Sequence, residues 1–284
     1  MRVIVLGITG LLGNAMFRLL SNVAGLRVLG TLRDPGARQF FTENLHPDII
    51  PEISLEKEEP LIRLITRERP DVVINCVGLV KQLLATHNPL QAMWMNALLP
   101  HRLAEMCDAV GARLVHFSTD CVFSGSRGNY LETDIPDGMD IYSRSKFLGE
   151  VDYPHAITLR TSFIGHELAN KHGLISWFLA QKGPVEGYTQ AIFSGLTSLE
   201  ISRVVRNHVL PRSNLRGLYH LAAQPIDKYR LLKMVAAAYA KDIEILPSEK
   251  LVINRSLDAT RFYEATGYVA PEWSAMIQLM HAFR

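Results

Sequence analysis

The chain has only three cysteines in 284 residues. Cys76, Cys107 and Cys121 are spaced too widely for a metal-binding pair or for the framework of a disulfide-stabilised secreted domain. Cys76 and Cys121 close strand-like runs, so all three are expected to be free thiols in a reducing compartment, the cytoplasm. No window approaches the roughly 20 apolar residues of a membrane span. The first apolar stretch is broken by Gly7, Gly10 and Gly13 and has no small-residue cleavage site, so it reads as a strand and turn, not a signal peptide. Basic tracts are missing too. With 30 Lys and Arg against 28 Asp and Glu, the net charge of +2 gives no electrostatic footprint for nucleic acid. The 10 histidines show no His-Glu-x-x-His spacing, so no metal site is expected. There are no internal repeats and no low-complexity segment. What is present is a globular composition, 48% hydrophobic and 20% charged, in a chain longer than one typical domain and shorter than two.

Apolar runs alternate with amphipathic stretches through residue 160. Strands are expected at Arg2–Leu6, Leu26–Thr31, Asp71–Val77, Arg113–Ser118 and Ala156–Arg160, and helices at Leu12–Asn22, Leu61–Arg69, Pro89–Ala109 and Ser143–Tyr153. Such alternation requires right-handed crossovers and a parallel sheet covered on both faces. The expected fold is therefore α/β, a doubly wound parallel sheet with a smaller C-terminal α/β lobe. The dinucleotide-binding domain is placed at 1–160, with short segments of 188–223 available to complete it. Residues 161–284, irregular apart from a helix at Lys228–Ala240, form the candidate substrate lobe.

Directly after the first strand stands Gly7-Ile8-Thr9-Gly10-Leu11-Leu12-Gly13. Gly7 permits a tight turn, Gly10 lets backbone approach a pyrophosphate, and Gly13 brings helix against strand, while the phosphate meets the positive end of the helix. The glycines are spaced three and three, not two and three as in the common Rossmann fingerprint. Their position at the first strand of an alternating chain is what separates them from an ordinary turn. Candidate cofactor contacts here are Gly7, Thr9, Gly10, Leu11, Leu12 and Gly13. After the second strand, Arg33 and Arg38 offer guanidinium forks for a 2′-phosphate, whereas Asp34 suits a ribose hydroxyl. NADPH is the expected cofactor, with NADH left open. Glu52 and Ile53 are placed near the adenine by chain order.

Tyr142 and Lys146 lie one helical turn apart and so share a face. A phenol titrating near 10 is a poor acid or base at neutral pH unless a cation stabilises its anion, and Lys146 can do so. An exposed Tyr and Lys on a helix would be the ordinary reading of such spacing. Here the pair follows Ser118-Thr119-Asp120 at the end of a strand, where a sheet of this kind binds ligands.

These residues resemble the extended short-chain dehydrogenase/reductase family, and within it the NDP-4-keto-6-deoxyhexose reductases. The likeness runs through the glycine turn, Asn75-Cys76-Val77-Gly78, Asn96, Phe117-Ser118-Thr119-Asp120-Cys121-Val122-Phe123, Tyr142-x-x-x-Lys146, Leu159-Arg160-Thr161-Ser162 and Arg255-Ser256-Leu257-Asp258. The resemblance implies reduction of a sugar C4 carbonyl at the expense of NADPH. Thr119 would orient the carbonyl, Tyr142 would act as the acid and Lys146 as its modulator, with Cys76, Val77, Gly78 and Asn96 on the cofactor. It also implies a nucleotide-diphosphate sugar as substrate, met by Lys81, Thr119, Asp120 and Arg255, and no nucleic-acid or membrane partner; homodimers are common in the family. Ser118 is read as making a strand-end hydrogen bond. Among the other polar and aromatic groups of the second half, His166, Glu167, Lys171, Trp177 and Tyr188 are placed toward the substrate by chain order, although core packing is favoured for Trp177 and Phe178.

Two departures bear on function. Leu79-Val80-Lys81-Gln82 replaces the family's Ala-Tyr-Thr-x-Val-Asp type of segment, which leaves the sugar open. Asp120 is followed by Cys121 and not by Glu, which argues against a dehydratase. A nucleotide-sugar epimerase with tightly held NAD, whose ribose acid only Asp34 could supply, and a non-catalytic NADP-binding regulatory subunit remain as alternatives.

Overall fold

In a computed structural model, residues 1–79, 88–168 and 173–283 are described. A seven-stranded parallel sheet forms the centre. Its strands are β1 (Arg2–Leu6), β2 (Arg27–Thr31), β3 (Ile49–Ile50), β4 (Val72–Asn75), β5 (Arg113–Ser118), β6 (Ala156–Arg160) and β7 (Gly217–His220), in the order β7-β6-β5-β4-β1-β2-β3. The inner strands read as unbroken apolar runs because helices cover both faces: Val3, Ile4, Val5 and Leu6 are all buried, as are Val72, Val73 and Ile74. Leu6 pairs with Thr31 on one side and with Asn75 on the other, so the order reverses between β1 and β4. In open α/β sheets that reversal opens a crevice beyond the strand ends.

Helix α1 (Leu11–Leu20) follows the glycine turn and buries Leu12, Ala15, Met16, Phe17 and Leu20; the Phe17 ring meets Phe41 edge-on at 5.7 Å. Its close approach to β1 depends on Gly13, where a Cβ would stand 2.1 Å from the Gly7 carbonyl oxygen. Helices α2 (Glu58–Glu68) and α3 (Leu99–Val110) cover the opposite face, their Leu61, Leu64, Leu103 and Ala104 joining Ile4, Leu6 and Val73 in one cluster. The expected long helix at Pro89–Ala109 is interrupted. A four-residue helix, Pro89–Ala92, runs into a π-turn at Met93–Leu98 before α3 begins. Helix α4 (Ile141–Leu148) starts two residues earlier than its apolar pattern suggests, because Asp140 caps it by accepting from the Ser143 N–H at 2.8 Å. Tyr142 is thereby a helical residue.

The second half is more regular than its sequence pattern. Beyond helix α5 (Leu174–Ala180), helix α6 (Ser198–Val204) is capped by Thr197 and packs on α1. Strand β7 pairs with β6, His220 opposite Arg160. The buried Arg113 guanidinium at the start of β5 donates to the Val209 carbonyl at 2.7 Å and to the Leu215 carbonyl. A small three-stranded sheet (Ile192-flanking Ala191–Phe193 with Ile226–Asp227 and Ile253–Asn254) leads into helix α7 (Lys228–Ala238), and a helix at Trp273–Ala282 closes the core with Trp273, Met276 and Ile277. No helix of the described residues is long and apolar enough to cross a membrane.

Candidate active site

At the crevice between β1 and β4, the glycine turn meets the N-terminus of α1. Gly7 has φ +78° and room for no side chain, since a Cβ would stand 2.4 Å from Val77 Cγ2. Gly10 caps the helix without any side-chain hydrogen bond, and the first turn carries no acidic residue. Free N–H groups with the helix dipole behind them form a cradle suited to a pyrophosphate. From there a cavity of about 470 Å³ runs along the strand ends, lined by Gly10, Leu11 and Leu12, by Cys76, Val77 and Gly78, and by Thr119, Tyr142 and Lys146. A smaller pocket of about 170 Å³ on the β2 side is lined by Gly7, Thr9, Arg33 and Ile53, the place for an adenosine end.

Thr119, Tyr142 and Lys146 reach the cavity from two elements, the end of β5 and helix α4. Thr119 Oγ1 accepts from the Cys121 N–H at 3.1 Å and sends its own proton to Asp120 Oδ1 at 3.2 Å. Burial holds the Tyr142 phenol well above its ordinary range, with Cys121 and Asp120 adding to the rise and the Thr119 hydroxyl opposing it through a hydrogen bond. Lys146 is buried, and its Nζ donates to the Phe117 carbonyl at 2.7 Å. Burial lowers its ammonium to about 8, while Glu150 pulls the other way. Asp120 is held above the usual carboxylate range by burial, against the pull of Arg255 and Lys228. The Ser118 hydroxyl donates to Glu150 Oε1 at 2.6 Å, the strand-end bond expected of it.

A second cavity, of about 370 Å³, continues into the C-terminal half and shares Asp120, Cys121, Ser162 and Arg255 with the first. Arg255 donates to the Phe123 carbonyl at 2.9 Å from Nε and to the Ser124 carbonyl at 3.4 Å from Nη2, which fixes the guanidinium at the junction of the two. Tyr188 lines this second cavity. So does Trp177, which is 38% exposed, whereas its neighbour Phe178 is fully buried; the core reading holds for Phe178 and fails for Trp177.

Several expected contacts do not reach the cavities. Asn96, rotated inward by the π-turn, accepts from the Leu79 N–H at 2.8 Å, and its amide nitrogen lies 3.1 Å from the Leu79 carbonyl and 3.3 Å from Ser145 Oγ. It braces the 76–79 loop and has no amide group left to offer a ligand. Arg38 is carried around by a 3₁₀ turn to β3, where it donates to the Ile49 carbonyl at 3.0 Å; Arg33 alone of the two lines the pocket. The Asp34 carboxylate caps that turn through the Gly36 N–H at 2.9 Å. Glu52 takes φ 61° and turns off the wall that Ile53 forms. His166 Nε2 meets the Tyr239 hydroxyl at 2.8 Å, and Glu167 accepts from the Gly173 N–H at 2.7 Å. Lys81 and Lys171 lie outside the described residues.

One residue of this site was missed from sequence. Lys228, at the first turn of α7, lines the second cavity with its Nζ 3.6 Å from the centre of the Phe193 ring. Among the described residues it makes no hydrogen bond or ion pair. Burial lowers its ammonium to about 8, opposed by Asp120 and Cys121. No local motif marks it; the strand Ile226–Asp227, pairing with Ile192 and Phe193, places it.

The sheet order, the glycine cradle and the Tyr–Lys face beside it define a protein of the extended short-chain dehydrogenase/reductase class. Within that class, residues 1–280 match the family model of the RmlD substrate binding domain, and the chain belongs to that family. It is 28% identical over 265 residues to methionine adenosyltransferase 2 subunit beta of Danio rerio, covering 88% of this chain and 76% of that one. It is 40% identical to dTDP-4-dehydrorhamnose reductase of Mycobacterium tuberculosis over 103 residues, 33% of this chain and 34% of that one. The solved dTDP-4-dehydrorhamnose reductase of Bacillus anthracis, in complex with NADP, shares the fold with a TM-score of 0.79 at 19% identity, over 99% of each chain.

Proposed function

We propose that this chain reduces the 4-keto group of a nucleotide-linked 4-keto-6-deoxyhexose, using NADPH, as its dTDP-4-dehydrorhamnose reductase relatives are named for doing. One observation carries the reading: Thr119, Tyr142 and Lys146 line a single cavity whose other wall is a helix N-terminus with no side-chain cap, behind a glycine turn. The residues fit a dinucleotide. Gly10, where an added Cβ would meet only the Gly7 carbonyl oxygen, leaves backbone open to a pyrophosphate while Gly13 holds α1 against the turn, Thr9 and Ile53 flank the adenosine pocket, and Arg33 offers the fork for a 2′-phosphate. When bound, the reduced nicotinamide supplies the two-electron reductant.

The chain's own residues handle the proton. With its titration raised by burial, Tyr142 stays a phenol at neutral pH and can give its proton to the oxygen that becomes an alkoxide, a far stronger base. Lys146, which lines the same cavity, would supply the cation for the phenolate left behind. The Thr119 hydroxyl, already accepting from Cys121, has its one proton free to move from Asp120 to the same oxygen. Residues 1–160, completed by β7, serve the cofactor in this reading, and the cavity beyond Asp120 and Arg255 takes the sugar nucleotide.

Lys228 and Arg255 supply the cations for the diphosphate. Lys228 feels the Asp120 carboxylate but makes no hydrogen bond or ion pair with it among the described residues, so a ligand phosphate would complete its partners. Replacing Lys228 by Met is expected to raise KM for the sugar nucleotide about 10- to 100-fold, the worth of one charge-assisted hydrogen bond, with kcat and NADPH affinity within a few-fold. An unchanged KM would remove Lys228 from the substrate site.

The deciding assay follows NADPH oxidation with dTDP-, UDP- and GDP-linked 4-keto-6-deoxy sugars, repeated with NADH. Turnover of at least one of them is the expected result. The similarity to methionine adenosyltransferase 2 subunit beta favours a second reading, a cofactor-binding subunit of another enzyme. Tight NADPH binding with no reduction of any sugar in the panel, together with association with a partner enzyme, would establish that instead.

A further inference from the structure

Beneath the site lies a buried ionic network that the proton transfer does not use. Helix α4 ends at Leu148, but the chain continues its turn, the Glu150 N–H donating to the Phe147 carbonyl at 3.1 Å, so Glu150 follows Tyr142 and Lys146 on one side of the helix. Both its oxygens are held: Oε1 accepts from Ser118 Oγ at 2.6 Å and from Arg160 Nε at 2.7 Å, and Oε2 accepts from Arg160 Nη2 at 2.7 Å. The side chains are 9% and 2% exposed. Arg160 Nη1 lies 3.2 Å from His220 Nε2, and His220 Nδ1 lies 3.0 Å from the Tyr130 carbonyl and 3.1 Å from that of Asp258. The proton therefore sits on Nδ1, leaving a neutral ring, and burial together with Arg160 lowers this imidazole to about 3.

A fully buried ion pair adds little net stability over apolar side chains of the same volume. Its placement is what matters. Ser118, which binds the carboxylate, stands between Phe117, whose carbonyl receives Lys146 Nζ, and Thr119. The titratable groups that share the cavity with Lys146 are Tyr142 on its own helix, Asp120 and Cys121 past β5, Cys76 past β4, and Arg255; Glu150 just past the helix and His116 on β5 interact with its charge, and Arg160 and His220 on β6 and β7 join the network through Glu150. Of these, His116 is kept neutral by burial and by Lys146 itself, Tyr142 stays protonated, and Asp120 is drawn toward Arg255 and Lys228.

We infer that Glu150, locked by Ser118 and Arg160, is a positioning residue that keeps Lys146 an ammonium, the form the Tyr142 step requires. Its consequence for turnover rests on the reductase reading. Burial alone drives Lys146 toward the neutral amine, and Glu150 is the charge that resists. An ammonium is lost as pH rises through its own titration point, so a weaker hold shows as loss at lower pH.

The test is Glu150→Gln, which keeps the shape and the acceptor oxygen, beside the double variant Glu150→Gln with Arg160→Met, which leaves no unpaired charge. Two profiles are measured from pH 6 to 9: kcat/KM for the sugar nucleotide, and the dissociation constant of NADPH by fluorescence, since Lys146 lines the cofactor cavity. The alkaline limb of both is expected to move down by about one pH unit or more in the single variant and by less in the double, with near-normal values at pH 6. A uniform loss at every pH, limbs that do not move, or two variants that both fail to fold would make the pair structural and overturn the inference. If the unaltered protein reduces no sugar nucleotide, the reductase reading fails, and the NADPH profile still decides the role of Glu150.

Discussion

Phe in place of Tyr142 is expected to lower kcat by about 10²- to 10⁴-fold while the dissociation constant of NADPH and KM for the sugar change by no more than a few-fold. The substitution removes one hydroxyl from the cavity wall and nothing from the packing of the α4 face. Positioned proton donation is a transition-state interaction, so its loss falls on kcat and not on ground-state binding. Because burial raises the phenol and lowers Lys146 only to about 8, the unaltered enzyme should lose activity on the alkaline side through Lys146 first. Stopped-flow measurement of NADPH oxidation checks this. A Tyr142→Phe protein within a few-fold of the parent rate would mean that another group delivers the proton.

A methyl group at Gly13 is expected to do as much damage by a different route. An added Cβ would lie 2.1 Å from the Gly7 oxygen and 2.8 Å from its carbonyl carbon, both backbone atoms that no rotamer change can move. Helix and strand must part, which costs about 1–3 kcal/mol of stability as overpacking does. The shift also carries the N–H groups of α1 away from the pyrophosphate, so NADPH affinity should fall by about 100-fold or more. Gly25→Ala is the control. It sits at φ +83° with nothing within 4 Å, so it should cost about 1–2 kcal/mol through backbone strain and leave NADPH affinity intact. Thermal melts with and without NADPH separate the two; equal cofactor stabilisation in Gly13→Ala and parent would refute the cradle.

Much of this was legible from residue order because it is set locally. Parallel strands buried on both faces must be apolar throughout, so β1, β5 and β6 stand out, and the glycine turn and the Tyr–Lys spacing depend on contacts within one turn of chain. What stayed hidden is set by distant partners. The π-turn that swings Asn96 under the 76–79 loop leaves no mark in an apolar helical pattern. Arg38 looked equivalent to Arg33 until a 3₁₀ turn sent it to Ile49. Lys228 reaches the cavity because Ile226–Asp227 pairs with Ile192 and Phe193, and Trp177 lines the same cavity while Phe178 beside it packs into the core. Arg255 was found through its motif and stands at the junction of the cavities.

Strand β7 comes from the second half of the chain and lies against β6, with Leu221 N–H donating to the Arg160 carbonyl at 2.9 Å. During synthesis, the sheet therefore cannot be finished when residue 160 leaves the ribosome. Until His220 follows, the buried flank of β6 is a bare, sticky margin open to wrong pairings. A chain arrested or cleaved between those points should be an aggregation hazard, and it would need a chaperone to shield that margin.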